Sequence, residues 1–179
     1  MRKILSAIVL SLIIAPAAGA DDDEMKAAID AFAETFTGTW VNESTLDTDV
    51  PDVGKKGDKL IAYITFKKQD GLILVDWKGE VNGKPAGSTA KGLMGWDAGR
   101  KRLRMRWFAT SGSSGTTVYT QRGDRWVTFG QSLDPEGTKG SSRSVTRIQD
   151  KDTHIRSVTD RKRGDETLPD REDTWKRKG

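Results

Sequence analysis

Two kinds of hydrophobic pattern divide the chain into a short helical segment and a long series of strand-like runs. In residues 21–36 the apolar side chains recur every three or four positions, which predicts an amphipathic helix. They are Met25, Ile29, Phe32 and Phe36. Gly38 ends this pattern. From there, apolar and polar positions alternate in short runs separated by turn residues. Residues 37–179 therefore predict an all-β domain: a closed antiparallel up-and-down barrel of about ten strands behind the short N-terminal helix.

The first hairpin predicts its own register. A two-residue turn at Asp70-Gly71 suits the positive φ angles of a tight hairpin. It places Phe66 opposite Val75 and Ile64 opposite Trp77. These four side chains then share one apolar face, and a slip of one residue would turn Trp77 towards solvent.

The second hairpin signal is Asn82-Gly83. A turn there predicts that Trp77 faces Ser88 and that Val75 faces Ala90. Small residues opposite a tryptophan leave room inside a curved, closed wall. We therefore expect both strands to contribute to one inward face.

Residues 100–109 alternate most regularly. Leu103, Met105 and Trp107 lie on one face of the predicted strand, and the inward set continues in later strands with Val118, Thr120, Val127 and Phe129. Large inward aromatics either fill a barrel or line a cavity. The candidate ligand-binding residues are Ile64, Phe66, Val75, Trp77, Met105, Trp107 and Phe129.

The opposite face of this strand carries Arg102, Arg104 and Arg106, spaced about 7 Å apart. One interpretation is a basic face that binds an anionic envelope polymer, an anionic lipid or a protein partner. The other is a solvated outer surface whose charge is balanced by acids on neighbouring strands.

A long irregular segment, 45–59, follows the first strand. A loop of this length in a compact domain is either a lid over a binding site or plain surface. Its carboxylates Asp47, Asp49 and Asp52 suggest calcium only weakly, because the glycine and final glutamate of an EF-hand loop are absent. We predict no metal site.

Residues 1–20 have the layout of a cleaved signal peptide, and the alternative is a membrane anchor that stays uncut. A short basic start precedes an apolar run, and small residues at 18–20 precede an acidic stretch. We expect a periplasmic or secreted protein with no transmembrane segment after cleavage. Loss of Arg2 and Lys3 lowers the formal net charge from +4 to +2, so nucleic acid is not a predicted partner.

The chain offers little catalytic chemistry. It has one histidine and no cysteine, and it lacks a nucleophile elbow or a phosphate-binding glycine loop. An enzyme is therefore the less favoured class, and would have to use polar residues such as Arg156 and Asp160 inside the barrel. The last two runs, 153–162 and 170–177, are markedly polar, and either line a wet part of the cavity or form an outer seam.

The helix followed by Gly38-Thr39-Trp40 and consecutive hairpins resembles a lipocalin or related calycin barrel. The chain is most similar to bacterial lipocalin-like families of unknown function, through its Phe-Thr-Gly-Thr-Trp opening, Gly95-Trp96-Asp97 and its closing segment 173–177. The resemblance implies that Gly38 and Trp40 close one end of the barrel and that a basic residue near the last strand covers it. Arg177 is the candidate for that residue, with Lys176 and Arg171 as alternatives.

Ten strands exceed the eight of a standard lipocalin, which points towards ten-stranded lipocalin-like barrels, some of which bind haem. His154 is a candidate axial ligand by that comparison, although in haem-binding relatives the histidine lies nearer the C-terminus. We predict no cofactor as the first interpretation. The expected function is to bind a small hydrophobic or amphipathic molecule in the barrel cavity. The alternative is an interaction protein that uses the outer basic face.

Overall fold

The computed structural model describes residues 18–51 and 53–179. Within them the chain forms one α-helix, α1 (Ala18–Phe36), and twelve strands. The strands are β1 (Gly38–Thr45), β2 (Lys59–Gln69), β3 (Leu72–Val81), β4 (Lys84–Pro85), β5 (Ala90–Asp97), β6 (Arg102–Ala109), β7 (Ser114–Arg122), β8 (Arg125–Leu133), β9 (Lys139–Asp150), β10 (Thr153–Arg163), β11 (Glu166–Thr167) and β12 (Arg171–Arg177). Most of the predicted signal segment, residues 1–17, lies outside the described residues.

Ten of the strands close into a single antiparallel barrel, which confirms the predicted fold class. Each long strand from β1 to β10 pairs with the next long strand along the chain, so that β3 pairs with β5 and β10 pairs with β12. The ring closes where β12 pairs with β1, with Trp40 opposite Arg177 and Val41 opposite Lys176. The two-residue strands β4 and β11 only extend their neighbours β3 and β10.

Helix α1 closes one end of the barrel. The apolar face predicted from the sequence is buried, with Ile29, Phe32 and Phe36 inside the hydrophobic core. The Phe32 ring lies 5.4 Å from the ring of Phe66 and 5.2 Å from that of Trp126. The helix therefore fills this end of the barrel, and its aromatic side chains pack against aromatic side chains of the strands. In the part of the chain described here, no helix is long and apolar enough to span a membrane.

The register predicted for the first hairpin is confirmed, with Phe66 opposite Val75 and Ile64 opposite Trp77. The register predicted for the second is wrong by two residues. Trp77 faces Ala90 rather than Ser88. The turn at Asn82-Gly83 forms as expected, but pairing then breaks between β4 and β5. A shift of two residues preserves the inward face, so the apolar pattern alone could not detect it.

The inward positions predicted for β7 and β8 are also wrong. Tyr119 rather than Val118 points into the barrel, since its ring packs against Phe32 at 5.4 Å. On β8 the buried residue is Trp126, and Phe129 lies on the outer face with 46% of its surface exposed. Phe129 therefore does not line the cavity. Thr120 and Val127 are opposed on that same outer face.

Strand β10 contains an irregularity that changes which side chains face inward. The pairing with β9 shifts between Thr159 and Lys162, and Asp160 has a positive φ of 52°. As a result Asp160 is exposed while Arg161 is buried. Asp160 is thus not an interior acid, in contrast to the sequence-based suggestion.

Candidate ligand-binding site

The barrel interior has two chemically different walls. Strands β2, β3, β5 and β6 turn apolar side chains inward, whereas β7 to β10 and β12 turn mostly polar ones. The apolar wall contains Ile64, Phe66, Val75, Trp77, Met105 and Trp107. The polar wall contains Thr117, Thr128, Ser142, Ser144, Thr146, Arg156 and Arg171. The polar runs β10 and β12 therefore line the polar side of the interior.

A cavity of about 310 Å³ lies at the end of the barrel opposite α1, and we call it the upper cavity. Its lining is mostly apolar, and the polar members are Ser88, Lys91, Ser111 and Ser113. It includes Val50, Pro51 and Val53 from the loop, Ile64, Val75 and Trp77 from β2 and β3, Ala90 and Gly92 from β5, and Met105, Trp107 and Ala109 from β6. Concave, apolar and preformed spaces of this size are typical of small-molecule sites.

Glycines make room for the large side chains of this cavity. A Cβ atom at Gly115 would lie 2.5 Å from Cζ2 of Trp107, so the indole lies directly over the β7 backbone. A Cβ at Gly92 would lie 3.2 Å from the sulfur of Met105. Only glycine fits at these two positions, because the Trp107 ring or the Met105 thioether occupies the space that a side chain would take.

The loop between β1 and β2 covers the upper cavity. On its polar side, Asp47 forms a bidentate ion pair with Arg161, in which Nη2 donates to Oδ1 at 3.0 Å. Arg163 donates to the backbone oxygen of Asp49 at 3.1 Å. On its apolar side, Val50 and Pro51 lie at the cavity. The loop is therefore anchored over the barrel mouth by two arginines of β10.

The carboxylates of this loop are engaged by other groups. The Arg161 hydrogen bond lowers the pKa of Asp47, and Asp49 accepts from the backbone N–H of Lys56 at 2.9 Å. Residue 52 lies outside the described residues. Among those described, no cluster of three or more potential metal ligands occurs.

A second space of about 70 Å³, the lower cavity, lies nearer α1. Aromatic side chains from the helix and the barrel form one side, and polar side chains form the other. The lining is Phe32, Phe36, Ile64, Phe66, Tyr119, Trp126, Thr128, Ser144, Thr146, His154, Arg156 and Trp175. Ile64 lines both cavities, so the two spaces lie on either side of this one side chain.

Charged groups of the polar wall are concentrated on β10 and β12. Arg171 Nε lies 3.4 Å from Asp173 Oδ2, and Asp173 is buried. Arg161 is buried against Asp47. Arg156 lines the lower cavity and donates from Nε to the Ser144 hydroxyl at 3.3 Å. Burial lowers the pKa of Arg156, while the negative charge of Asp173 acts in the opposite direction.

His154 is buried among aromatic rings at the closed end. Its ring centroid lies 4.4 Å from that of Trp40 and 5.4 Å from that of Phe36, and it stacks on Trp175 at 6.2 Å. Burial lowers its pKa to about 4, and Arg156 and Arg177 add to this effect. The adjoining space of about 70 Å³ is too small for a porphyrin ring. These residues therefore do not fit an axial haem site.

The closed end is sealed around Trp40. The guanidinium of Arg177 lies 4.3 Å from the Trp40 ring and donates to the backbone oxygens of Thr35, at 3.2 Å, and Thr37. Gly38 has a φ of 118°, and a Cβ there would lie 2.9 Å from Arg177 Nη1. These contacts tie the last strand to the end of α1 and the start of β1.

The arginine row lies on the outside of β6, but its members differ. Arg104 Nη2 lies 2.7 Å from Asp97 Oδ2, so its charge is largely balanced. Arg106 is exposed beside two apolar side chains of the outer surface, Leu93 and Phe108, and Phe108 is 69% exposed. The row is thus not uniformly available to a partner.

The structure places the seven predicted ligand-binding residues in different positions. Val75, Trp77, Met105 and Trp107 line the upper cavity, Ile64 lines both cavities and Phe66 lines the lower one. Phe129 faces outward. Sequence reasoning missed Tyr119 and named Arg156 as an interior residue only for the enzyme alternative, although alternate polar positions in 153–162 carried a signal for the polar wall.

Comparison with known proteins gives similarity at the level of fold. No protein-family profile matches the chain, and no curated protein sequence matches it. The crystal structure of Rv2717c from M. tuberculosis is similar, with 16% sequence identity, a TM-score of 0.59, and coverage of 85% of this chain and 98% of that chain. A de novo designed fluorescence-activating β-barrel aligns with 13% identity and a TM-score of 0.41, over 82% of this chain and 97% of that one.

Proposed function

We propose that this protein is an exported, lipocalin-like carrier that binds a small apolar or amphipathic molecule inside its barrel. The upper cavity is the observation that supports this function most directly. Its volume of about 310 Å³ is at the lower end of the range for small-molecule sites. Two tryptophans, a methionine and two valines and a proline of the loop provide most of the apolar contact area. Burial of a ligand against them is the driving force.

The first test is native mass spectrometry of untagged protein purified without denaturation, beside a denatured control. A reproducible extra mass that is lost on denaturation supports the carrier function and identifies the cargo. The same spectrum tests export, because cleavage after Ala20 leaves a chain of residues 21–179. A chain that retains residues 1–20 in the mature protein contradicts cleavage of the proposed signal peptide.

A variant pair then locates the binding site. Ala90→Phe places a ring in the upper cavity, whereas Leu93→Phe changes an outward position on the same strand. We expect 1-decanol, followed by tryptophan fluorescence, to bind wild type and Leu93→Phe equally and Ala90→Phe at least tenfold more weakly. Equal binding by both variants would place the ligand elsewhere.

A second candidate function is attachment to an anionic lipid surface through the outer face of β5 to β8. It is favoured by the exposed side chains Leu93, Phe108, Phe129 and Leu133 beside Arg106. Exposed aromatic and basic groups together suit a lipid interface better than a soluble polymer. The balanced charge of Arg104 weakens this proposal.

Vesicle sedimentation tests the second candidate. Wild-type protein would sediment with phosphatidylglycerol vesicles but not with phosphatidylcholine vesicles. The double variant Arg106→Gln/Phe108→Ser would remain in the supernatant, and the control Thr116→Ser on the neighbouring strand would behave as wild type. Absence of wild-type sedimentation at low salt rejects this candidate.

A further inference from the structure

We infer that the lower cavity is an anion subsite centred on Arg156, and that the ligand is an amphipathic carboxylate with its head group there and its apolar chain in the upper cavity. This inference rests on the proposed carrier function and specifies the chemistry of the ligand. It follows from three features of the described residues: the charge balance of the interior, the donors around Arg156 and the relation between the two cavities.

The first feature is an excess of positive charge inside the barrel. Three arginines face the interior from β10 and β12: Arg156, Arg161 and Arg171. Two carboxylates lie beside these arginines, and each is already in an ion pair. Asp47 pairs with Arg161, and Asp173 pairs with Arg171. Within the described part of the chain, Arg156 has no carboxylate within ion-pair distance.

An unbalanced charge in this position is energetically costly. Burial penalises the ionised guanidinium, which is the main cause of the lowered pKa of Arg156. Charge-bearing groups inside a protein are normally paired or fully hydrogen-bonded. The only hydrogen bond that Arg156 makes to the described residues runs from Nε to Ser144. Its two terminal nitrogens are therefore free to bind an anion from the cavity.

The second feature is the set of neutral groups around this guanidinium. Tyr119, Thr128, Ser144 and Thr146 line the same cavity. The Tyr119 hydroxyl is a proton donor at neutral pH, as an ordinary tyrosine is, and burial raises its pKa further, to about 12. Hydroxyl groups can donate to an anion in addition to the guanidinium fork, which binds carboxylates in a bidentate manner.

The third feature is the size and order of the two spaces. The lower cavity, at about 70 Å³, has room for a head group but not for a whole ligand. The upper cavity, at about 310 Å³, is apolar and has room for a chain. Ile64 lies in the wall of both. An amphipathic molecule with one charged end matches this arrangement, and a single unpaired arginine matches a single negative charge.

The test compares two ligands of equal chain length that differ in the head group, decanoate and 1-decanol, by titration of tryptophan fluorescence at pH 8. We expect wild-type protein to bind decanoate at least tenfold more tightly than the alcohol. Arg156→Met should lose this preference and bind the two ligands with equal affinity. Arg106→Met removes an exposed arginine on the outer wall and should keep the wild-type preference.

The outcomes separate this inference from the carrier proposal. Equal wild-type affinity for the two ligands overturns the anion subsite and leaves the carrier function in place. A preference for decanoate that survives in Arg156→Met also overturns it. Absence of binding by either ligand overturns both. If Arg156→Met fails to fold by circular dichroism, Arg156→Lys decides, because it keeps the charge without the planar fork and should lose most, but not all, of the preference.

Discussion

The single histidine of the chain makes its buried ring easy to study. Burial among Trp40, Phe36 and Trp175 lowers the pKa of His154 from 6.5 to about 4. Between these two pH values the unfolded chain binds the proton and the folded protein does not. Unfolding free energy therefore rises with pH in this window, and the penalty from His154 is absent above about pH 6.5.

We expect the untagged protein to show one imidazole resonance that stays in the neutral form at about pH 5.5 in NMR titration. Acidification from about pH 7 to pH 5 should cost ~2 kcal/mol of unfolding free energy through this residue. His154→Phe is the matched variant, since carboxylate titration is common to both proteins. A midpoint near 6.5, or the same pH dependence in both proteins, contradicts the buried neutral state.

Arg177 joins three parts of the chain at the closed end of the barrel. Its guanidinium lies on Trp40 and donates to backbone oxygens at the end of α1 and, through Nε, to Lys151 at 3.1 Å. Arg177→Ala should lower the free energy of unfolding by ~2–4 kcal/mol, because charge-assisted bonds and a cation–π contact are lost together.

Urea denaturation measures this effect. Lys176→Ala is the control, since Lys176 is the exposed neighbour on the same strand, and it should change stability by less than about 0.5 kcal/mol. Arg177→Lys should behave more like the alanine variant than like wild type. The compact ammonium group lacks the planar fork of nitrogens with which the guanidinium donates to several carbonyl oxygens at once. An Arg177→Ala protein as stable as the control would show that the contacts of Arg177 contribute little to the free energy of unfolding.

At the scale of single residues, the sequence predicted best where size and backbone geometry leave few choices. Gly38 and Trp40 stand out because a positive φ next to a buried indole admits few other residues. The prediction for Phe129 was wrong because an apolar side chain on a strand does not show whether it faces the interior or the solvent. Here the inward neighbours, Thr128 and Gly130, are polar or small, so the apolar residue marks the outside.

Among the elements, α1 is the one on which the closed end depends. Phe32 is buried to 1% exposure and packs against four other aromatic rings. Phe32→Ala should lower the free energy of unfolding by ~3–5 kcal/mol, because the cavity left behind cannot collapse inside a closed barrel. Thermal and urea unfolding, followed by circular dichroism, measure the change.

Glu34→Ala is the control on the same helix, because Glu34 is exposed, and its effect should remain below about 0.5 kcal/mol. A similar loss in both variants would mean that the effect does not come from the buried ring of Phe32. A small loss in Phe32→Ala alone would mean that the helix end is loosely packed. The helix was predictable because its apolar side chains recur with a single helical period and all pack against one surface, the inside of the barrel.

The strand registers show where an element-level prediction reaches its limit. The β2–β3 hairpin has a two-residue turn, and its inward face includes Ile64 and Trp77, so only one register satisfies both. The β3–β5 pair contains a break in which Ala86 still bonds to Gly79 but β5 resumes two residues later. A break of even length keeps the same faces inward, and therefore leaves no trace in the pattern.

On the scale of the whole molecule, the division of the interior into an apolar and a polar wall was only half predictable. The apolar wall follows from alternation in β2, β3 and β6. The polar wall required knowledge of which strands close the ring, because polar side chains on a strand suit solvent as well as a wet cavity. The position of Arg156 inside the barrel follows from the pairing of β10 with β12, where Arg156 lies opposite Asp173.

Closure of the ring gives the last prediction. Val41 and Lys176 lie opposite each other across the β1–β12 seam, far apart in sequence. The chain has no cysteine, so the double variant Val41→Cys/Lys176→Cys can form only one intramolecular disulfide. It closes a loop of about 136 residues, for which chain entropy predicts a stabilisation of ~5 kcal/mol in the oxidised form relative to the reduced form. Guanidinium denaturation of the two forms measures this difference.

The matched control is Thr65→Cys/Asp76→Cys, an opposed pair of the β2–β3 hairpin. It closes a loop of only about 12 residues, so its expected stabilisation is ~3 kcal/mol. Comparison of each protein with its own reduced form removes the effect of the cysteine substitutions themselves, which leaves loop length and the geometry of each new bond as the differences. A seam disulfide that fails to form under conditions in which the hairpin disulfide forms would mean that β1 and β12 are not paired and that the barrel is open. Formation with the larger stabilisation would establish that the first and last strands hold the two walls of the cavity together, which is the condition for either cavity to enclose a ligand.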